Sequence, residues 1–165
     1  MLTFFAIDQL VVMANTYTQL YIQIVFAVKY RESLIPPAHR DQLHKYITGI
    51  VQQRNHKMLS VFCMPDHAHV FVGMKPTQSI SDLTRDIKAA SSGFINENNW
   101  INKPFQWQNG FGAFSYSKES IDNVVRYILN QEAHHKTIAF REEYLQLLRE
   151  FDICYDDRFL FKWLD

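Results

Sequence analysis

Apolar residues in this chain recur in two rhythms, and the switches between them mark the elements. Thr16 to Val28 is rich in Tyr, Ile, Val and Phe with partial alternation, which predicts a long strand. Pro36–Pro37 then opens a helix, because proline is tolerated in a first helical turn. Leu43, Tyr46, Ile47, Ile50 and Val51 recur at helical spacing and carry that helix to about Arg54. Lys57–Met64 and His67–Met74 read as strands joined by a tight turn at Pro65–Asp66. Ser79 is placed to cap a second helix running to about Asn96. Phe105–Trp107 and Phe111–Ser115 read as short strands, and Asn109–Gly110 between them is a hairpin signal. Ser117 is placed to cap a third helix with an apolar stripe of Ile121, Val124, Val125, Ile128 and Leu129. A last helix covers about Phe140 to Phe151. The hairpins exclude a purely parallel sheet. The order predicts an α+β fold, an antiparallel sheet with helices packed on one face, ferredoxin-like in outline.

Length and composition set the bounds. The 165 residues fit one domain with a full core, and 47% apolar against 21% charged residues is a globular balance. Seventeen basic residues against seventeen acidic ones leave no net charge, which argues against a broadly basic nucleic-acid binder but not against a local phosphate-binding patch. Cys63 and Cys154 form no metal or redox pattern and suit a reducing, cytoplasmic setting. No apolar run is long enough to span a bilayer, so no membrane partner is expected. Residues 1–12 are apolar but lack the marks of a signal peptide, and Met13 precedes the first strand. Residues 1–12 are therefore expected to be an upstream extension, with residues 13–165 forming the domain.

Two features carry chemistry. His67 and His69 stand at i and i+2 of a strand, so both imidazoles point to one face while Ala68 and Val70 point to the other. Such a pair can share one divalent ion. Taken alone it is equally served by two hydrogen-bonded histidines on a half-polar face, and zinc hydrolases use the same spacing. On the third helix Tyr127 and Gln131 lie roughly 90–130° from the centre of the apolar stripe and stack on one flank. Each by itself reads as a surface residue. Together with the histidines they gain meaning, since an ion held by two imidazoles needs a further ligand and a glutamine carbonyl oxygen can supply it. A tyrosine one turn away would sit beside the ion, where phenolate character is favoured over an intrinsic pKa near 10. This constellation predicts covalent phosphotyrosine chemistry at a metal centre of His67, His69 and Gln131, with Tyr127 as nucleophile.

These residues carry a resemblance. His67-Ala68-His69 is similar to the His-hydrophobic-His motif, and Tyr127 to Gln131 (YILNQ) to the tyrosine helix, of the single-tyrosine HUH transposases that serve small IS-two-hundred-like insertion sequences. Leu20–Tyr30, Ala89–Phe94, Phe105–Phe114 and Gln131–His135 resemble the same family, and the likeness runs from about Asn15 to Phe159. The resemblance implies Mg²⁺ or Mn²⁺ as cofactor and single-stranded DNA with hairpin ends as partner. It also implies a homodimer in which the tyrosine helix of one subunit completes the site of the other. The implied reaction cuts and rejoins single strands through a 5′-phosphotyrosine and needs no nucleotide cofactor. No G-x-x-x-x-G-K-[ST] loop is present, which agrees with this.

Lys29, Arg31, Arg85, Lys88, Arg126 and His134 are candidate nucleic-acid contacts, each equally compatible with a solvated face. Gly110 and Gly112 precede the tyrosine helix, where glycine serves turn geometry or a hinge. His39, His44 and His56 read as surface residues, and Trp107 as core. A related single-strand nickase, a non-catalytic nucleic-acid module and a water-using metal hydrolase are the competing functional classes.

Overall fold

The structure, a computed structural model, describes residues 16–31 and 34–162, apart from the Arg31 side chain. The expected start at Met13, the extension before it and the candidate contact Arg31 thus lie outside the described side chains. Strand β1 covers Leu20–Ala27, helix α1 Arg40–Gln53, β2 Lys57–Cys63, β3 His67–Met74, helix α2 Ile80–Glu97 and β4 Gly112–Tyr116. Helices α3 (Ile121–Leu129), α4 (Gln131–His134) and α5 (Phe140–Glu150) follow. The sheet is antiparallel in the order β2-β3-β1-β4, the strand order of a βαββαβ ferredoxin-like unit.

Strand alternation distributes the helices. Ile22, Ile24 and Phe26 of β1 and Ala68, Val70 and Val72 of β3 face one side, where they pack with Leu43 and Ile47 of α1 and Leu83 and Ile87 of α2. Val25 and Ala27 face the other side and meet Phe140, Tyr144, Leu147 and Leu148 of α5. Phe71 on that same side receives Val124 and Ile128 of α3. The helices of the βαββαβ unit therefore share one face as expected, but α3 and α5 cover the second face. β1 and β3 are buried at nearly every position: the first face is apolar, and the second mixes Val25, Ala27 and Phe71 with the polar Gln23, His67 and His69.

Helix ends follow local chemistry. Ser79 Oγ accepts the Asp82 N–H at 3.0 Å, an N-cap for α2. The helices α1, α2 and α5 each end on a residue in the left-handed region, Asn55, Asn99 and Asp152. The next residue's N–H then bonds back to the last turn, from His56 to Val51, Trp100 to Ile95 and Ile153 to Leu148. The third helix is shorter than its sequence pattern. It stops at Asn130, so Gln131 opens a separate turn, and Leu129 of the expected stripe is 58% exposed.

The hairpin expected at Asn109–Gly110 does not form. Trp107 bridges Val28, Gln108 N–H donates to Ala27 O, and β4 pairs with β1 down to Gly112 opposite Val25. Both segments thus run along β1 and not along each other. From residue 107 to 112 is five steps, while β1 takes three from 25 to 28, so two surplus residues bulge out. Gly110, at φ 81°, makes that bulge possible. Gly112 is glycine for a different reason: a Cβ there would lie 2.8 Å from the Tyr144 ring. Trp107 is core, as expected, with its Nε1 donating to Ser91 Oγ at 2.9 Å. Cys63 is buried and Cys154 exposed, both free. His56, read above as a surface residue, is buried, because its Nδ1 accepts the Lys75 N–H and its Nε2 meets Gln78 Oε1.

Candidate active site

His67 opens β3 and His69 follows on the same face, paired across from Ala27 and Val25 of β1. Both rings are fully buried, and they lie edge to face with centroids 5.1 Å apart. Phe140 stacks flat on His67 at 3.9 Å. Behind the rings stand groups that fix them. Asp66 Oδ1 lies 2.7 Å from His67 Nδ1, so that nitrogen donates and Nε2 keeps a lone pair aimed forward. The Gln23 amide meets His69 Nδ1 at 2.9 Å, and its Oε1 accepts the Tyr116 hydroxyl at 2.8 Å. Burial pulls the His67 pKa down to about 4, the hydrogen bond to Asp66 opposing, so the ring is neutral near pH 7.

Helix α3 brings the tyrosine to this face by seating Val124 and Ile128 on Phe71. The Tyr127 ring meets His69 of the same chain edge-on at 6.0 Å. Gln131, at the start of α4, is fully buried and points its Oε1 at His67 Nε2, 3.5 Å away. The four residues singled out in the sequence therefore converge, and they do so within one chain. The break at Asn130 does not separate Gln131 from Tyr127, since the Asn130 N–H still reaches the Arg126 and Tyr127 carbonyls.

At the centre is a carboxylate that the sequence reading did not single out. Glu143 of α5 is 2% exposed. Its Oε1 accepts from the Tyr127 hydroxyl and from Gln131 Nε2, the latter at 2.9 Å. Its Oε2 stands 3.0 Å from His135 Nε2, 3.6 Å from His69 Nε2 and 3.8 Å from His67 Nε2. Burial alone would raise this carboxyl, but the imidazoles of His135 and His69 and the Tyr127 hydroxyl outweigh it, and the group is held ionised. Burial and the Glu143 charge together push the Tyr127 phenol well above its ordinary range. His135 lies the other way. Burial disfavours its charge, but the Glu143 contact prevails and raises its pKa. The signal for Glu143 was positional. Phe140, Glu143, Tyr144, Leu147 and Leu148 are the i, i+3, i+4, i+7 and i+8 positions that α5 turns inward, so the sequence placed a carboxylate in an apolar stripe.

The cluster fits a cation. His69 Nε2, His135 Nε2 and Glu143 Oε2 are buried and make no hydrogen bond among the described residues. His67, His135 and Glu143 each offer a ligand atom within 4.8 Å of the others. The Gln23 amide N–H donates to His69 Nδ1, so a neutral His69 ring carries its proton on Nε2 toward Glu143, and a cation bound there would take that proton's place. A cation here would also counter the rise in the Tyr127 pKa. A cleft of about 460 Å³, lined by Tyr127, His134, Glu143 and Gln146, opens the site to solvent.

The candidate nucleic-acid contacts are dispersed. Arg126 and His134 line a shallow groove with Tyr127 and Asn130, and His134, half-buried, sets its Nε2 3.6 Å from Glu143 Oε1. Arg85 pairs with Asp82 at 2.7 Å. The Lys88 ammonium is held by the Gln108 and Gly110 carbonyls, and burial lowers its pKa. Arg85 and Lys88 line a separate groove with Trp107. Lys29 donates to Gln106 Oε1 at 3.0 Å.

The chain sets a tyrosine helix over a same-face histidine pair on an antiparallel βαββαβ sheet. The chain belongs to the family described as Transposase IS200 like, whose model matches residues 16–131. It is similar to the ISDra2 transposase TnpA of Deinococcus radiodurans, with 30% identity over 74 residues, 45% of this chain. That match spans about half (53%) of the relative's length. Two solved structures share the fold. One is a candidate transposase of Deinococcus radiodurans R1, with TM-score 0.58, 22% identity, and coverage of 72% of this chain and 95% of that one. The other is a REP-associated tyrosine transposase bound to a REP hairpin, with TM-score 0.56, 16% identity, and coverage of 76% and 74%. Among the described residues no helix is long and apolar enough to cross a membrane.

Proposed function

We propose that this chain is a DNA transposase that cleaves and rejoins single-stranded DNA at insertion-sequence ends, with Tyr127 as nucleophile. The observation that carries this reading is the convergence of the Tyr127 hydroxyl, His67, His69 and Gln131 on one buried carboxylate at the end of an open cleft. In the cutting step Tyr127 Oη attacks the phosphorus and the P–O3′ bond breaks. The strand is left with a free 3′-hydroxyl and a 5′-phosphate ester on the tyrosine. The phenol proton leaves along the hydrogen bond to Glu143, and the departing O3′ takes a proton from solvent in the open cleft. A divalent cation, Mg²⁺ or Mn²⁺, held by His67, His69 and Gln131 would polarise the phosphodiester and stabilise its leaving oxygen. Rejoining reverses the step with a 3′-hydroxyl as nucleophile, so phosphodiester is exchanged for phosphodiester and no nucleotide is consumed. That His134 and Arg126 line one groove with Tyr127 supports a role for them in phosphate contact. Hairpin-ended single-stranded DNA is the proposed partner, supported by the hairpin bound to the REP-associated neighbour.

The resemblance implied a homodimer with shared sites. The Tyr127–His69 contact lies within one chain, so a site assembled in cis stands as the alternative to the shared one. Incubating the protein with single strands of its own element's ends and Mn²⁺ should give a covalent 5′ adduct that disappears in Tyr127→Phe. Persistence of the adduct in that variant would refute the assignment. Mixing Tyr127→Phe with a His67→Ala/His69→Ala variant should restore nothing. Recovered cleavage would show that the tyrosine acts on the partner's histidines.

A further inference from the structure

Three observations single out residues beyond Gln131, where the family match ends. First, the ring of His135 is set in one tautomer. Its Nδ1 lies 2.8 Å from the Ile138 carbonyl, which can only accept, so in the neutral ring Nε2 carries the lone pair, aimed at Glu143 Oε2. Asp66 sets His67 in the same way. Metal-bound histidines have this arrangement, with a carbonyl or carboxylate holding the far nitrogen. Second, the spacings suit a shared centre. Ligands about 2.1 Å from one ion lie roughly 3.0–3.5 Å from their neighbours. Glu143 Oε2 stands 3.0, 3.6 and 3.8 Å from the three imidazole nitrogens, and Gln131 Oε1 stands 3.5 Å from His67 Nε2. Third, Glu143 is 2% exposed, at the inner wall of the cleft. It sits on the inward row of α5 between Phe140 and Tyr144, and Oε2 has no hydrogen-bond partner among the described residues.

We propose that Glu143 and His135 are ligands of the same divalent cation as His67, His69 and Gln131. The inference rests on the metal-dependent reading above. It makes the centre a nitrogen-rich site with one carboxylate, which favours Mn²⁺ over Mg²⁺ because imidazole is the softer ligand. Glu143 then joins the ion through Oε2 to the nucleophile through Oε1, so metal binding and tyrosine positioning depend on one side chain.

The test is metal binding without DNA. Calorimetric titration of the full chain with Mn²⁺ should show one site, weakened at least tenfold in Glu143→Gln and in His135→Gln, and abolished in His67→Ala/His69→Ala. Thermal melts of the metal-free proteins check that each variant folds. Electron spin-echo spectra of Mn²⁺-loaded wild-type protein need no variant and should report three imidazole nitrogens. Two nitrogens, or wild-type affinity in both single variants, would overturn this proposal and leave the His67–His69 centre standing. No Mn²⁺ or Mg²⁺ binding by the wild type would instead sink the metal reading itself, and this inference with it.

Discussion

Replacing Gly112 by alanine tests whether the second face of the sheet is as tightly packed as its geometry indicates. The new Cβ would lie 2.8 Å from both Cε2 and Oη of Tyr144, and 3.0 Å from Phe114 Cε2. Comfortable carbon contacts begin near 3.5 Å, so the Tyr144 ring must retreat by about 0.7 Å. It has little room. Phe161 lies 4.7 Å from it, Phe140 6.0 Å and Phe114 6.4 Å between centroids, and the residue is 6% exposed. Overpacking of this size costs about 1–3 kcal/mol, which for a domain of this length lowers Tm by roughly 3–9 °C. Chemical denaturation of Gly112→Ala, Tyr144→Leu and the double variant measures it. Leucine vacates the clash, so the coupling between the two sites should recover about 1–3 kcal/mol. If Gly112→Ala is neutral, or if the two substitutions are additive, the close approach is not what requires glycine at this position.

Three further outcomes are expected. Burial holds His44 down to about 4, with Asp41 opposing and Arg40 reinforcing, and its Nε2 accepts the Cys63 N–H. A folded pKa below the unfolded value of 6.5 means that the unfolded chain binds more protons between pH 4 and 6.5. Stability should then fall as pH drops through that window, by on the order of 1–2 kcal/mol after discounting for partial solvent access. Urea midpoints at pH 4.5 and 7.5 should show the drop shrinking in His44→Gln. Gln23→Leu removes the partner of both His69 Nδ1 and the Tyr116 hydroxyl. It should cost on the order of 1–3 kcal/mol, read by thermal denaturation, and a neutral result would show that the two groups find other partners. Ser79→Ala removes the α2 cap and should cost about 1 kcal/mol, with the loss of helicity read by circular dichroism.

Local order was legible in the chain because it is governed by short-range rules. Partial alternation placed β1, helical spacing placed α1, the Ser79 cap marked the start of α2, the Pro65–Asp66 turn separated β2 from β3, and the i, i+2 rule put His67 and His69 on one face. Tyr127 and Gln131 stood out as polar flank residues, although the helix breaks at Asn130 between them. Pairing was less legible. Asn109–Gly110 has the composition of a hairpin turn, but β1 is long enough to pair with the segments on both sides of it, and a longer ladder prevails over a local turn signal.

The tertiary structure alone decided what lies at the centre of the site. Short-range pattern specified the segments that became β1 to β4, the Ser79 cap of α2 and a histidine pair facing one way, whereas Ser117 caps no helix with its side chain. Pattern could not give the depth of Glu143, whose i+3 place in an apolar stripe has meaning only once α5 is docked on Val25 and Ala27. Nor could it turn the lone pair of His135 inward, which depends on a carbonyl three residues on and a carboxylate eight residues on. Periodicity specifies which side of an element is buried. Which buried atoms meet, and at what distance, is fixed by how the elements pack on the two faces of the sheet.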